Sequence, residues 1–157
     1  MRAKFLTALT AVIFSINAPA RAETLIQTLE SFGFFGRWAI DCNEPPSPSN
    51  TVRTSRILQT GEVAFSESLG GKGEPNSYVI LNAKPAGAET IVLRVKLNGE
   101  RQQDLTILRQ GERLRTVTNR AVDTGHYVVR KGAVVGTGQA TPWLTRCEQQ
   151  QPAREQT

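Results

Sequence analysis

The chain has 157 residues, 39% of them hydrophobic and 21% charged, with two cysteines, one histidine and a net charge of +5. That length suits one domain with a real core rather than two, and a lone histidine excludes a multi-histidine metal site. The basic excess suggests nucleic acid, but Arg2, Lys4 and Arg21 fall in the first 22 residues, which hold no acid; beyond them 16 basic and 14 acidic side chains are interspersed as on an ordinary solvated surface, so no nucleic-acid partner is expected.

Residues 1–22 have the three parts of a bacterial secretory signal peptide. Arg2 and Lys4 form the positive start, and Phe5 to Phe14 is an uncharged apolar run. Small residues follow at Ala18-Pro19-Ala20 and Ala20-Arg21-Ala22, and cleavage is expected after Ala22, leaving Glu23 first. The apolar run is far shorter than the roughly 20 residues that span a bilayer, and no later segment is long or apolar enough to do so, so no membrane span is expected. The domain plan is a signal peptide at 1–22, a β domain at 23–147 and a flexible tail at 148–157, in the periplasm or the medium.

Within that domain, Thr24 to Phe32 places apolar residues at helical spacing after a Thr cap, a short helix or an N-terminal arm. The first strand is read at Trp38–Cys42. Pro45-Pro46-Ser47-Pro48-Ser49-Asn50 then makes a stiff connector in which no regular element forms. From Thr51 the texture is β. In Ile91–Leu97, Ile91, Leu93, Val95 and Leu97 share one face while Arg94 and Lys96 take the other. Asn98-Gly99 is a hairpin turn leading to a strand over Gln103–Leu108. Gln110-Gly111 turns into Arg113–Val117, and Tyr127–Arg130 returns through Lys131-Gly132 to Ala133–Val135. With Trp143–Cys147 the count reaches about eight or nine strands at short intervals, which suits an antiparallel barrel or sandwich.

Cys42 and Cys147 lie near the two ends of the domain. In an exported chain an isolated pair reads as a disulfide, here closing a loop worth about 4.7 kcal/mol in the chain-entropy model. Each belongs to a Trp-x-x-x-Cys segment, Trp38–Cys42 and Trp143–Cys147. Alternation puts each Trp on the face of its Cys and leaves Asp41 and Arg146 on the opposite face as a possible surface ion pair. First and last strands are then neighbours, which favours a closed barrel over a sandwich. The expected fold is mainly β, a single antiparallel barrel with a short N-terminal helix, closed by one disulfide.

Gly36-Arg37-Trp38 resembles the Gly-x-Trp signature of lipocalin-like (calycin) barrels. That resemblance implies an arginine of the last strand packed over the Trp, a role that falls to Arg146, with Gly36, Trp38, Trp143 and Arg146 at the barrel closure. The chain is also similar to small exported proteins of alphaproteobacteria with Trp-x-x-Asp-Cys and Pro-Trp-Leu-x-Arg-Cys segments, which implies location and one-domain architecture. A third likeness is to the small bacterial barrel that inhibits metalloproteases through an N-terminal arm; here the arm is Glu23 to Ser31.

No catalytic residue, metal site or cofactor is expected. Gly70-Gly71-Lys72-Gly73 lacks the spacing and the Ser/Thr of a phosphate loop and reads as a turn, and there is no Gly-x-Ser-x-Gly elbow. The leading expectation is a non-catalytic binding protein with a small apolar or amphipathic ligand in its barrel. The second is a protein-binding module, an inhibitor or envelope partner, presenting Glu23–Ser31 or Pro45–Asn50. A hydrolase built on two distant carboxylates ranks third.

Overall fold

The computed structural model describes residues 24–70 and 73–148; the expected signal peptide and all but Glu148 of the expected tail lie outside these residues. Helix α1 (Leu25–Phe32) starts at a capping box in which Thr24 and Gln27 bond reciprocally. It stops at Gly33, whose left-handed backbone (φ 73°) lets Phe34 N–H reach back to Leu29 O at 2.9 Å. Leu29 is fully buried, and Leu25, Ile26 and Phe32 pack on the barrel core, so of the two expectations, a short helix or an arm, the segment is a docked helix.

Among the described residues ten strands follow: β1 (Gly36–Ala39), β2 (Val52–Ile57), β3 (Val63–Ser68), β4 (Asn76–Pro85), β5 (Thr90–Leu97), β6 (Arg101–Gln110), β7 (Arg113–Ala121), β8 (Tyr127–Arg130), β9 (Ala133–Val134) and β10 (Leu144–Cys147). All pair antiparallel with their sequence neighbours from β1 through β9, while β10 pairs with both β1 and β7. Strands β1–β7 and β10 therefore form a closed eight-stranded barrel, and β8–β9 is a hairpin hung on β7 outside the ring. The hairpin turns on Lys131 (φ 52°) and Gly132 (φ 73°), a two-residue connection with both residues left-handed. Among the described residues no helix is long and apolar enough to cross a membrane.

The interior is filled from the α1 end. Phe34, Trp38, Phe65, Ile91, Leu93, Ile107 and Leu114 are all buried to 1% exposure or less. Phe65 meets Phe34 edge-on at 5.6 Å and stacks on Tyr78 at 4.4 Å. Arg109, at the end of β6, donates to Phe32 O at 2.7 Å and ties the helix down.

Cys42 and Cys147 are bonded, S–S 2.05 Å, across 105 positions of sequence. The bridge lies against Ala39 and Val52 in a small cluster separate from the barrel core. Here the structure corrects the expected facing. Strand β1 ends at Ala39, so Cys42 follows a bend, and the strand alternation that linked it to Trp38 does not extend that far. Trp38 points inward while the sulfurs lie with the outward-facing side chains. The intervening loop is locked by Asn50, which donates to the carbonyls of Asp41, Glu44 and Pro45 and accepts from Asp41 N–H, all within 3.1 Å.

Urea unfolding with and without reductant should show that opening the bridge costs about 2–5 kcal/mol. Asn50→Ala, in the oxidised protein, should cost about 1–3 kcal/mol by the same measurement, since it strands buried backbone groups.

Candidate functional site

Strand β7 supplies the edge on which the site depends. Its first residues pair with β10 (Leu114 with Leu144, Arg113 with Thr145), and its last residues pair with β8 (Asn119 with Val129, Arg120 with Tyr127). The two partners diverge, with register shifts at Thr106/Ile107 against β6 and at Asn119/Arg120 against β8. Between them the chain returns through Thr141, whose hydroxyl lies 2.6 Å from Thr116 O and 3.2 Å from Gly132 O and accepts from Arg115. Arg115 also donates to Gly132 O at 2.6 Å, fastening the hairpin turn to the barrel.

The divergence leaves a cavity of about 250 Å³ at the end of the barrel opposite α1. Leu69, Leu105, Val128, Val129 and Leu144 give it an apolar wall; Arg53, Glu67, Tyr78, Arg115, Thr116 and Asn119 give it a polar one. Arg53 is 3% exposed and projects inward from β2. Its Nη2 donates to Glu67 Oε1 at 2.9 Å and to Thr116 Oγ1 at 3.0 Å, and its guanidinium carbon stands 5.1 Å from the centre of the Phe65 ring. Glu67 is the cross-strand partner of Arg53 in β3 and keeps 20% of its side chain exposed. Removing one member of so buried a pair costs about 3–5 kcal/mol. The Nε and Nη1 groups of Arg53, and Asn119 Oδ1, are buried without a hydrogen-bond partner; each such group carries a penalty of about 1–3 kcal/mol, more where charged. Burial, reinforced by the charge of Glu67 and partly offset by Arg53, pushes the Tyr78 phenol up to about 12.

The residues expected at barrel closure fall in two places. Gly36 starts β1 with φ 119°, open only to glycine, and its N–H meets Ser55 Oγ at 2.9 Å. Trp38, 1% exposed, donates its indole N–H to Phe34 O at 3.1 Å. Arg146 is the direct cross-strand neighbour of Trp38, stands 5.6 Å over its ring and donates to Phe35 O at 3.4 Å. These three therefore meet where the chain enters β1 after α1; none of them lines the cavity, although Trp38 is the cross-strand partner of Arg53, which does. Trp143 does not join them. It precedes β10 and lies beneath Arg113 and Arg115, each 5.3 Å from its ring. The expected Asp41–Arg146 ion pair is not formed. The Asp41 carboxylate accepts from Asn43 N–H at 2.9 Å, and Arg146 shares the inward face of Trp38 instead of lying beside Asp41.

None of Arg53, Glu67, Tyr78 or Asn119 stood out in the sequence. The one available signal was the inverted pattern of β2, where Arg53 and Ser55 are buried in the barrel while the apolar Val52 lies outside against the disulfide. Among the described residues no group of three or more His, Cys, Asp or Glu side chains is placed to hold a metal ion. No protein-family model, curated protein or solved structure matches the chain. The geometry itself carries the architecture, a closed eight-stranded antiparallel barrel compatible with a lipocalin-like one.

The raised phenol gives a pH signature. The folded protein favours neutral Tyr78, so that contribution to stability is complete below pH 10.0 and is lost as pH rises from there through about 12. Over this interval the wild type should lose roughly 2–3 kcal/mol more than Tyr78→Phe in urea unfolding, and ultraviolet titration should show the Tyr78 phenolate only near the upper limit.

Proposed function

We propose that the chain is an exported, non-catalytic binding protein of the bacterial periplasm or medium that holds one small amphipathic ligand in the open end of its barrel. The observation that carries this reading is the cavity, its size and its two-sided lining. Buried side chains fill the core towards α1, with Phe34, Trp38, Ile91 and Leu114 all at 1% exposure or less, so the ligand is assigned to the open end. The open end offers about 250 Å³, larger than a cavity of about 150 Å³ that accepts benzene and just under the roughly 300 Å³ at which drug-sized pockets begin. A small molecule with an apolar body and one polar end matches the division of the wall. The signal-peptide pattern of residues 1–22 supports export, and the disulfide fits an oxidising compartment.

The β8–β9 hairpin forms one side of the entrance, with Val128 half-exposed at its rim. Native mass spectrometry of protein purified from its own compartment should show one bound small molecule per chain. Val128→Trp, which narrows the entrance without touching the packed half, should abolish that mass increment and leave the melting temperature of the ligand-free protein within a few degrees. A co-purifying protein in place of a small molecule would favour an interaction module instead.

A further inference from the structure

We propose that the outer side of β7, together with the β8–β9 hairpin, is a docking surface for an anionic phospholipid bilayer. The inference goes beyond the cavity and does not depend on what the cavity holds.

Charge is the first ground. Residues 24–112 hold ten acidic and nine basic side chains, whereas from Arg113 to Cys147 six basic side chains face one acid, Asp123. Four of those six share one surface. Leu114, Thr116 and Asn119 turn into the barrel, which leaves Arg113 and Arg115 outside. The register shift at Thr106/Ile107 leaves Val117 without a partner on β6 and returns Arg120 to the outer side. Tyr127, the cross-strand neighbour of Arg120, draws in Arg130 from β8. None of these four arginines forms an ion pair with a described residue. Asp104, opposite Arg120 on β6, is already held by Arg94 through bonds of 2.6 and 2.9 Å.

The aromatic rings are the second ground. Arg113 and Arg115 each stand 5.3 Å from the centre of Trp143, and Arg120 and Arg130 stand 5.7 and 5.5 Å from that of Tyr127. A guanidinium on an aromatic face keeps a planar set of donors suited to phosphate, and Trp and Tyr are the side chains favoured at headgroup depth. Exposed apolar groups are the third. Tyr127, Val128 and Val135 are 39%, 48% and 52% exposed, and Val135 N–H donates to Val128 O at 2.9 Å, which makes the two valines neighbours. A soluble polyanion would engage the arginines and leave these groups in water. A bilayer interface takes both, the phosphates by charge and the valines by burial among the upper acyl carbons. The hairpin hangs outside the ring, where a surface can reach it.

The test sediments protein purified from its own compartment with vesicles of phosphatidylcholine alone or mixed with phosphatidylglycerol. Binding to the mixed vesicles should be at least about tenfold tighter and should weaken as salt is added. Arg113→Gln combined with Arg130→Gln removes two exposed cations that make no side-chain hydrogen bond to a described residue, and should weaken binding by about tenfold or more. Lys84→Gln combined with Lys96→Gln removes the same charge from the β4–β5 face and should change binding by less than about twofold. Val135→Ser should weaken it by about threefold or more. In the wild type, which needs no variant to fold, mixed vesicles should broaden the amide resonances of 127–135 before those of β4 and β5. No preference for the mixed vesicles, equal effects of the two double variants, or uniform broadening would overturn the assignment. Tighter binding of soluble dextran sulfate than of mixed vesicles, with no loss in Val135→Ser, would also overturn it and make the partner a soluble polyanion.

Discussion

A β-strand has two edges, and β7 must serve three neighbours with them. One edge pairs with β6 along most of its length; the other is divided between β10, which closes the ring, and β8, which leaves it. Backbone N–H and C=O groups must all be paired or solvated, so this division decides where the barrel can be tight. Where β10 holds the edge, Leu114 and Leu144 meet and the core is filled up to the cavity wall that Leu144 forms. Where β8 holds it, the wall turns outward and the space behind Thr116 and Asn119 stays open. The cavity is the geometric remainder of a shared edge, and the Arg115–Thr141–Gly132 network keeps the share fixed.

Polarity follows the same axis. Phe65 joins the two halves, with Phe34 at its edge, Tyr78 stacked on it and Arg53 over it. A guanidinium could not be buried in the apolar half, where its desolvation would go uncompensated. Beside an aromatic face, a carboxylate and a hydroxyl it is tolerated, although only part of its donor set is used. The barrel thus places an incompletely satisfied cation among the residues that line the cavity.

The elements were largely legible because their signals are local. The Thr24 cap marks the helix start, and the alternation of Ile91–Leu97 matches β5 within one residue. Lys131-Gly132 predicted its hairpin through Gly132, which accepts the left-handed backbone such a turn requires. The adjacency of the first and last strands followed from the disulfide and the matching Trp-x-x-x-Cys segments. The facing of the first Trp-x-x-x-Cys segment did not, because it assumed a strand running to Cys42 while β1 stops at Ala39. The site was illegible for a deeper reason. Arg53 and Glu67 sit in unbroken polar runs on short strands, Arg53-Thr54-Ser55-Arg56 and Ser66-Glu67-Ser68, which do not mark the face that turns inward. Only barrel closure turns that polar face inward, and closure is set by contacts more than a hundred residues apart.

That distance also orders assembly in time. The pairings from β1 to β9 join strands adjacent in the sequence, and each can zip up as its hairpin emerges, whereas the seam of Arg37 with Cys147 and Trp38 with Arg146 joins the ends of the domain. Loop-closure entropy makes such a contact late, and chains dominated by non-local pairing fold slowly. Until β10 arrives, β1 and the first part of β7 are bare edges able to recruit strands from another copy. The sulfur bridge, lying beside this last-formed seam, then acts as a latch that converts a slow and reversible closure into a durable one.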